Sequence, residues 1–529
     1  MREMRNKKLR YCLYLIIAVG VISHIMPYVF QRSLWIDEAR LASSIVNRDF
    51  LQLAASPLDT GQSAPVGYLY LVKFLCTMFG TGEAALRLWS LLAFFGSAFV
   101  FGQILSRVIK AKYRLIYLAV FMVIPIWIYY GNELKPYMSE CFFVLLAVLL
   151  YGVYQDGRLG FGQIAAAYAV IVWCSFGAVF YIAGAMILIS VEMLFKLIKK
   201  KRERTNVLKK IPFCFLVLFS FLLNYVFWLS STSSNAEGQG YWELLRFPLI
   251  PTSFSDIRLM GKMMEQVLTP FGSFRIVICL LVTGKVILCI RRRSIRAADR
   301  QILSGTALLL MASWLGFYPI QDRMVLFVSM TLLVFVIDVL EDIIDLCLKS
   351  GKKLVVLALL GGGGAVFLVY LLGDSAYWRP GGVYMVGSET AGNLRYLEEH
   401  LTEADMVYVR HEAIPAFLYE MDYPWGDADL VYETPLVKDH YILGQPTFRY
   451  FYEIPYSYEG EPIMEAVEAE AELIESCDSV YIYTSHEIAE KKEDTQALLR
   501  LLERSGEVRI AACKYETYLY HYVKTNSGI

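Results

Sequence analysis

The sequence predicts a polytopic α-helical membrane protein with an α/β domain at its C-terminus, and three observations carry that prediction. The 529 residues are 57% hydrophobic and only 19% charged, with a mean hydropathy of +0.46, whereas soluble domains hold about 25% charged residues. The apolar residues are gathered in runs close to the ~20 that an α-helix needs to cross a bilayer. Zero net charge also conceals an asymmetry: the chain is basic up to about residue 373 and acidic beyond it, as two different environments require. No basic patch lies outside the membrane loops, so nucleic acid is excluded as a partner.

The first element is a basic head, Arg5 to Arg10, followed by an apolar run over 11–30. It lacks a small-residue cleavage site and reads as a retained signal anchor. The positive-inside rule puts its far end outside the cytoplasm. Directly behind it stands Trp35-Ile36-Asp37-Glu38-Ala39-Arg40, which opens an external loop over 31–83. Within that loop 66–79 is apolar, but it is short, contains Lys73 and follows Pro65. A crossing there would put every later basic loop outside, so the segment is predicted as a helix lying on the outer interface.

The Lys/Arg-rich loops at 107–114, 196–210 and 291–296, and a weaker one at 349–353, are assigned to the cytoplasm. Apolar runs at 84–106, 115–130, 138–154, 161–173, 178–195, 211–229, 271–290, 302–317, 324–339 and 354–372 satisfy that assignment. With the first helix they give about 11 crossings, the N-terminus inside and the C-terminus outside. The membrane body is then 1–372, and an extracytoplasmic domain follows over 373–529. In the latter, 405–409, 479–483 and 515–523 read as strands and 495–504 as an amphipathic helix. It has no Gly-rich phosphate loop.

Segments 131–137, 230–270 and 318–323 fall on the same side as Asp37. Asp37 and Glu38 suit general base catalysis, one taking a proton while the other orients it or pairs with Arg40. The plain alternative is a pair of acids favoured at a helix N-terminus. Glu133, Lys135, Tyr137 and Glu140 surround Pro136 at a helix mouth, where a Lys suits a phosphate as a point charge. Tyr318 and Arg323 flank the third segment, and an Arg fork binds phosphate oxygens bidentately. Ordinary loop polarity and interface anchoring compete with both readings. Arg87, Arg246, Arg258 and Lys262 are further external cations, while His24 and His411 read as structural. The ten cysteines show no metal-ligand spacing, and Cys477 and Cys513 are the pair able to form a disulfide in the C-terminal domain.

The stretch 34–92 resembles the membrane-embedded GT-C glycosyltransferases, in particular the bacterial branch similar to protein O-mannosyltransferases, glycosyltransferase family 39. The order of parts carries the resemblance: Trp35-Ile36-Asp37-Glu38-Ala39, a proline-led interfacial helix from Pro65, Phe79-Gly80, and Leu86-Arg87. Glu133-Leu134-Lys135-Pro136-Tyr137, Ser175 to Phe180 and Tyr318-Pro319 with Arg323 look like the family's later motifs. The resemblance implies a polyprenyl-phosphate-linked sugar donor, hexosyl or pentosyl, and transfer with inversion. Asp37 matches the family's catalytic acid, with Glu38 beside it, and Lys135, Arg323 and Arg87 become the cations that stabilise the departing phosphate. The related lipid A aminoarabinose transferases carry a Lys before the interfacial-helix proline, where this chain has Ala64. The sequence requires no cofactor, and a divalent metal stays open. Other readings are a lipid-linked saccharide flippase and a membrane-anchored binding protein; the absence of an internal repeat speaks against the transporter.

Overall fold

A computed structural model describes residues 2–30, 32–58, 62–199, 204–229, 246–292, 295–350, 390–402, 405–410, 413–420, 438–442, 445–452, 463–485, 489–514 and 517–525. The chain divides into two compact units. The first holds Met1–Val29, Phe50–Pro57 and Ser63–Trp378; the second holds Phe30–Asp49, Leu58–Gln62 and Arg379–Ile529. The stretch bearing Trp35 to Arg40, expected in the membrane body, therefore makes its contacts in the second unit.

Among the described residues, six helices of the first unit are long and apolar enough to cross a membrane: Arg10–Phe30, Glu83–Val108, Tyr137–Gln155, Phe176–Lys199, Arg204–Phe227 and Arg323–Asp345. A pair bent by 112°, Phe254–Gly272 with Arg275–Ile290, makes a seventh if it counts as one span. Of the other runs expected to cross, that at 302–317 lies in an unbroken 18-residue helix, Ala297–Trp314, which is not among these apolar spans. The run at 115–130 is split into Ala111–Met122 and Pro125–Tyr130, because Pro125 begins a new helix where its missing N–H costs nothing. The run at 161–173 is a 14-residue helix, Phe161–Cys174. That at 354–372 lies outside the described residues.

In chain order the helices are α1 (Arg2–Phe30), α2 (Ile36–Asn47), α3 (Phe50–Ala55), α4 (Val66–Phe79), α5 (Glu83–Val108), α6 (Ala111–Met122), α7 (Pro125–Tyr130), α8 (Tyr137–Gln155), α9 (Phe161–Cys174) and α10 (Phe176–Lys199). There follow α11 (Arg204–Leu208), α12 (Ile211–Asn224), α13 (Phe254–Leu268), α14 (Arg275–Arg292), α15 (Ala297–Trp314) and α16 (Leu326–Lys349). Helix α4 starts behind Pro65 and stops at Gly80, whose φ of 89° suits glycine. It buries Val66, Tyr68, Leu69, Val72 and Cys76 on one face and leaves Phe74, Met78 and Phe79 exposed. Helix α13 lies inside the segment 230–270 that was expected to be a loop. Its start is a capping box: Ser253 Oγ accepts from Asp256 N at 3.2 Å, and the Asp256 carboxylate accepts from Ser253 N at 3.0 Å.

The body is tied by α5 against α8, α8 against α16, and α10 against α15. At the last contact a Cβ on Gly184 would stand 2.5 Å from Ser304 Oγ, and one on Gly305 2.9 Å from Tyr181; small residues let membrane helices approach this closely. Three helices also meet through charge. Lys285 of α14 lies 2.7 Å from Asp299 of α15 and 2.6 Å from Asp338 of α16. Arg296 reaches the same two carboxylates at 3.0 and 2.9 Å and donates to the Val108 carbonyl of α5 at 3.4 Å.

The second unit is built on a six-stranded sheet in the order β2-β3-β1-β4-β6-β5. Its strands are β1 (Met406–Val409), β2 (Lys438–Ile442), β3 (Gln445–Tyr452), β4 (Ser479–Ser485), β5 (Gly506–Lys514) and β6 (Thr517–Lys524). Central β1 runs parallel to β3 and β4, while β2, β6 and β5 pair antiparallel. Helices α17 (Thr390–His400), α18 (Ile414–Glu420), α19 (Ile463–Glu475) and α20 (Ala489–Leu502) accompany the sheet. Side chains alternate along a strand, and both sides of β1 and β4 are buried: Val407, Val409, Tyr481 and Tyr483 enter one cluster, Tyr408, Val480 and Ile482 the other. That is why these strands read as continuous apolar runs. Cys477 and Cys513 are both free thiols, so the possible disulfide is not formed.

Candidate functional site

The candidate residues divide between the two units. In the second, the Trp35 to Arg40 stretch forms the N-terminus of α2. Glu38, the third residue of that helix, reaches back and accepts from the Trp35 N–H at 3.1 Å, satisfying one of the orphan donors of a helix start. Arg32 Nη2 stands 3.6 Å from the same carboxylate oxygen. Glu38 is fully buried, whereas Asp37 is half-buried. Successive helical side chains diverge by about 100°, so the adjacent acids acquire different surroundings. The ion pair of Glu38 is with Arg32 rather than with Arg40, a half-buried residue one turn beyond Asp37. Arg32 was not singled out from the sequence; a Glu three residues into a helix was the signal, masked because the capped residue is a Trp rather than Ser or Thr.

In the first unit, Glu133 and Lys135 lie on the turn between α7 and α8. Lys135 N donates to the Glu133 carbonyl at 2.8 Å, and Ser90 of α5 donates its hydroxyl to that same carbonyl at 2.6 Å. Arg87 precedes Ser90 by one turn, and the two cations Arg87 and Lys135 are only 3% and 6% exposed. Tyr137 packs edge-on against Tyr130 at 5.4 Å, and the Arg323 guanidinium sits 5.8 Å above the Tyr137 ring, a cation–π contact. The structure thus sets Tyr137 between Arg323 and Tyr130, a residue not singled out from the sequence.

Two candidates have evident structural work. Glu140 accepts from Ser175 Oγ at 2.5 Å, Phe176 N at 2.9 Å and Gly177 N at 2.6 Å. These donors open α10, so the buried carboxylate caps that helix and faces the positive end of its dipole. Tyr318 donates its hydroxyl to the Met324 carbonyl at 2.9 Å and packs edge-on against Phe180 at 5.3 Å, closing the turn that leads to Arg323. Among the described residues no group of three or more His, Cys, Asp or Glu could hold a metal ion. The chemistry on offer is a half-buried carboxylate at a helix N-terminus in one unit, and in the other the buried cations Arg87 and Lys135 with Arg323 over an aromatic ring.

No protein-family model matches the chain, and no curated protein does. Among solved structures it is similar to ArnT from Cupriavidus metallidurans in the apo state, with a TM-score of 0.54 and 13% identity over 96% of this chain and 97% of that one. It is likewise similar to the same protein bound to undecaprenyl phosphate, with a TM-score of 0.51 and 12% identity over the same shares. At this identity the likeness is one of fold. The chain is a polytopic membrane protein with the GT-C fold of ArnT.

Proposed function

We propose that this chain is a glycosyltransferase that moves a sugar from a polyprenyl-phosphate donor to an acceptor at the outer face of the cell membrane, with inversion. The observation that carries the reading is the whole-length fold likeness to a protein solved with undecaprenyl phosphate bound. In this reading Asp37 is the general base. The acceptor oxygen attacks the anomeric carbon as Asp37 takes its proton, and the bond from that carbon to the phosphate oxygen breaks. The polyprenyl phosphate leaves with the electron pair, and a single displacement inverts the centre. Negative charge grows on the phosphate in the transition state, so fixed cations act there preferentially. Lys135 and Arg323 fill that role, with Arg87 behind them and Tyr137 setting Arg323. Glu38 holds the helix rather than a proton in flight.

The order of the Trp35–Ala39, Pro65, Phe79-Gly80 and Leu86-Arg87 motifs favours the branch similar to protein O-mannosyltransferases. The reading includes about 11 crossings, a cytoplasmic N-terminus and an extracytoplasmic C-terminal domain. Asp37→Asn tests it. The variant is expected to insert and bind donor normally while transfer from a polyprenyl-phosphate sugar falls by about 10²- to 10⁴-fold. Full transfer by that variant overturns the mechanism.

A further inference from the structure

The second unit joins two stretches some 350 residues apart in sequence: Phe30–Asp49 and Arg379–Ile529 are one compact body. Helix α2 packs on α18. Ser33, just ahead of α2 and buried, accepts a hydrogen bond from Ala391 N in the first turn of α17 at 3.3 Å. Both supporting helices are fixed to the sheet. Asn393 of α17 donates to the Thr517 carbonyl of β6 at 3.3 Å, and Leu394, Leu397, Ile414 and Phe417 enter the cluster formed with Val407 and Tyr483.

The place in the sheet matters. The chain leaves β1 toward β3 on one side and returns to β4 on the other, which makes the carboxyl ends of β1 and β4 a topological switch point. Open α/β sheets hold their ligands there. In this sheet Arg410 follows β1, donates its N–H to the Tyr483 carbonyl of β4 at 2.9 Å, and is buried in a 2.5 Å ion pair with Glu470. Helix α18 begins four residues later. Ala413, Ile414 and Phe417 face the sheet cluster. Ala416 is also buried, at 1% exposure, on the helix against which α2 packs. A 12-residue helix such as α2 is marginal by itself. What orients it is what it is packed on.

We infer that the C-terminal domain is the seat of the catalytic helix: α17 and α18, at the switch point of the sheet, hold α2 where another α/β domain would hold a ligand, and so set the position of Asp37. Ser33, Ala391 and Ala416 are positioning residues. The inference rests on the reading of Asp37 as the base, and it gives the C-terminal domain a part in turnover.

Three variants of the full-length protein test it, in single-turnover transfer from a polyprenyl-phosphate sugar. Ser33→Ala and Ala391→Pro remove opposite halves of one hydrogen bond, and proline is tolerated in the first turn of α17. Each is expected to lower kcat about threefold with donor KM and thermal midpoint unchanged, and the double variant to be no worse than either; Ser33→Thr restores the rate. Ala416→Leu displaces α2 and is expected to lower kcat by about 10²-fold at unchanged donor KM. Unchanged kcat in all three overturns the inference, as does a loss that only tracks the folded fraction. Asp37→Asn is run in parallel. An inactive Asp37→Asn beside fully active seat variants sinks this inference alone, while an active Asp37→Asn sinks the reading beneath it.

Discussion

The two ends of α5 hold cations in different settings. This helix has 26 residues and is about 39 Å long at 1.5 Å per residue. Its first turns carry buried Arg87 and touch the turn that bears Glu133 and Lys135. Its last residue, Val108, gives its carbonyl to Arg296, part of a network in which two cations and two carboxylates stand within 3.0 Å of one another. That network is closed, each charge balanced by another from a neighbouring helix. At the other end the Arg323 guanidinium lies over the Tyr137 ring. Ionisable groups in a membrane body are functional candidates by default, and the contrast shows how to divide them. In the proposed reading the closed set belongs to the architecture and the cations at the other end to the site.

The largest effect should come from breaking the closed set. Lys285→Met leaves buried Asp299 and partly buried Asp338 sharing Arg296, which costs about 3–5 kcal/mol. A sharp fall in thermal midpoint is expected, with turnover per folded molecule kept. Adding Asp338→Asn returns the set to one cation and one carboxylate, and most of the lost midpoint should come back. A double variant no more stable than the single one would show that the charges act independently rather than as a balanced network.

At the other end the pattern should invert. Lys135→Gln is expected to lower transfer by about 10²-fold, with a midpoint shift less than half that of Lys285→Met. If transfer per folded molecule survives in Lys135→Gln, the two ends of α5 do not differ in kind, and Lys135 joins the architecture.

What the sequence disclosed follows the range of the interactions involved. Helix α4 was legible as a short helix because Pro65 and Gly80 mark its ends locally. Pro125 was as visible as Pro65, yet its split of 115–130 was masked by apolar residues on both sides. The Ser253–Asp256 box was also local and was overlooked within a long polar segment. By contrast, Glu140 meets Ser175, Phe176 and Gly177 only once α8 and α10 are side by side, and Lys285 meets Asp338 across 53 positions. The affiliation of α2 with the C-terminal domain depends on Ser33 and Ala391, 358 positions apart. Residue type named the candidates, but burial and partners assigned their work.

Glu140 is the case in which those two kinds of information collide. As a cap it accepts three hydrogen bonds at the start of α10, so Glu140→Gln should cost about 1–2 kcal/mol of stability and leave kcat and donor KM as they were. Reduced kcat at an unchanged midpoint would return Glu140 to the substrate site and extend the functional end of the body one turn deeper.

The smallest expected effect falls on the ring beneath Arg323. The contact is electrostatic attraction to the face of an aromatic ring, and in a partly open setting it is worth about 0.5–1 kcal/mol. Tyr137→Phe keeps the ring, so donor KM should stay within about twofold of the parent. Tyr137→Leu removes it while filling similar space, and donor KM should rise about threefold with kcat little changed. Equal behaviour of the two variants would mean that the ring does not set Arg323. The guanidinium would then be held by other neighbours, and the aromatic lining would no longer distinguish this end of the body from the end closed by ion pairs.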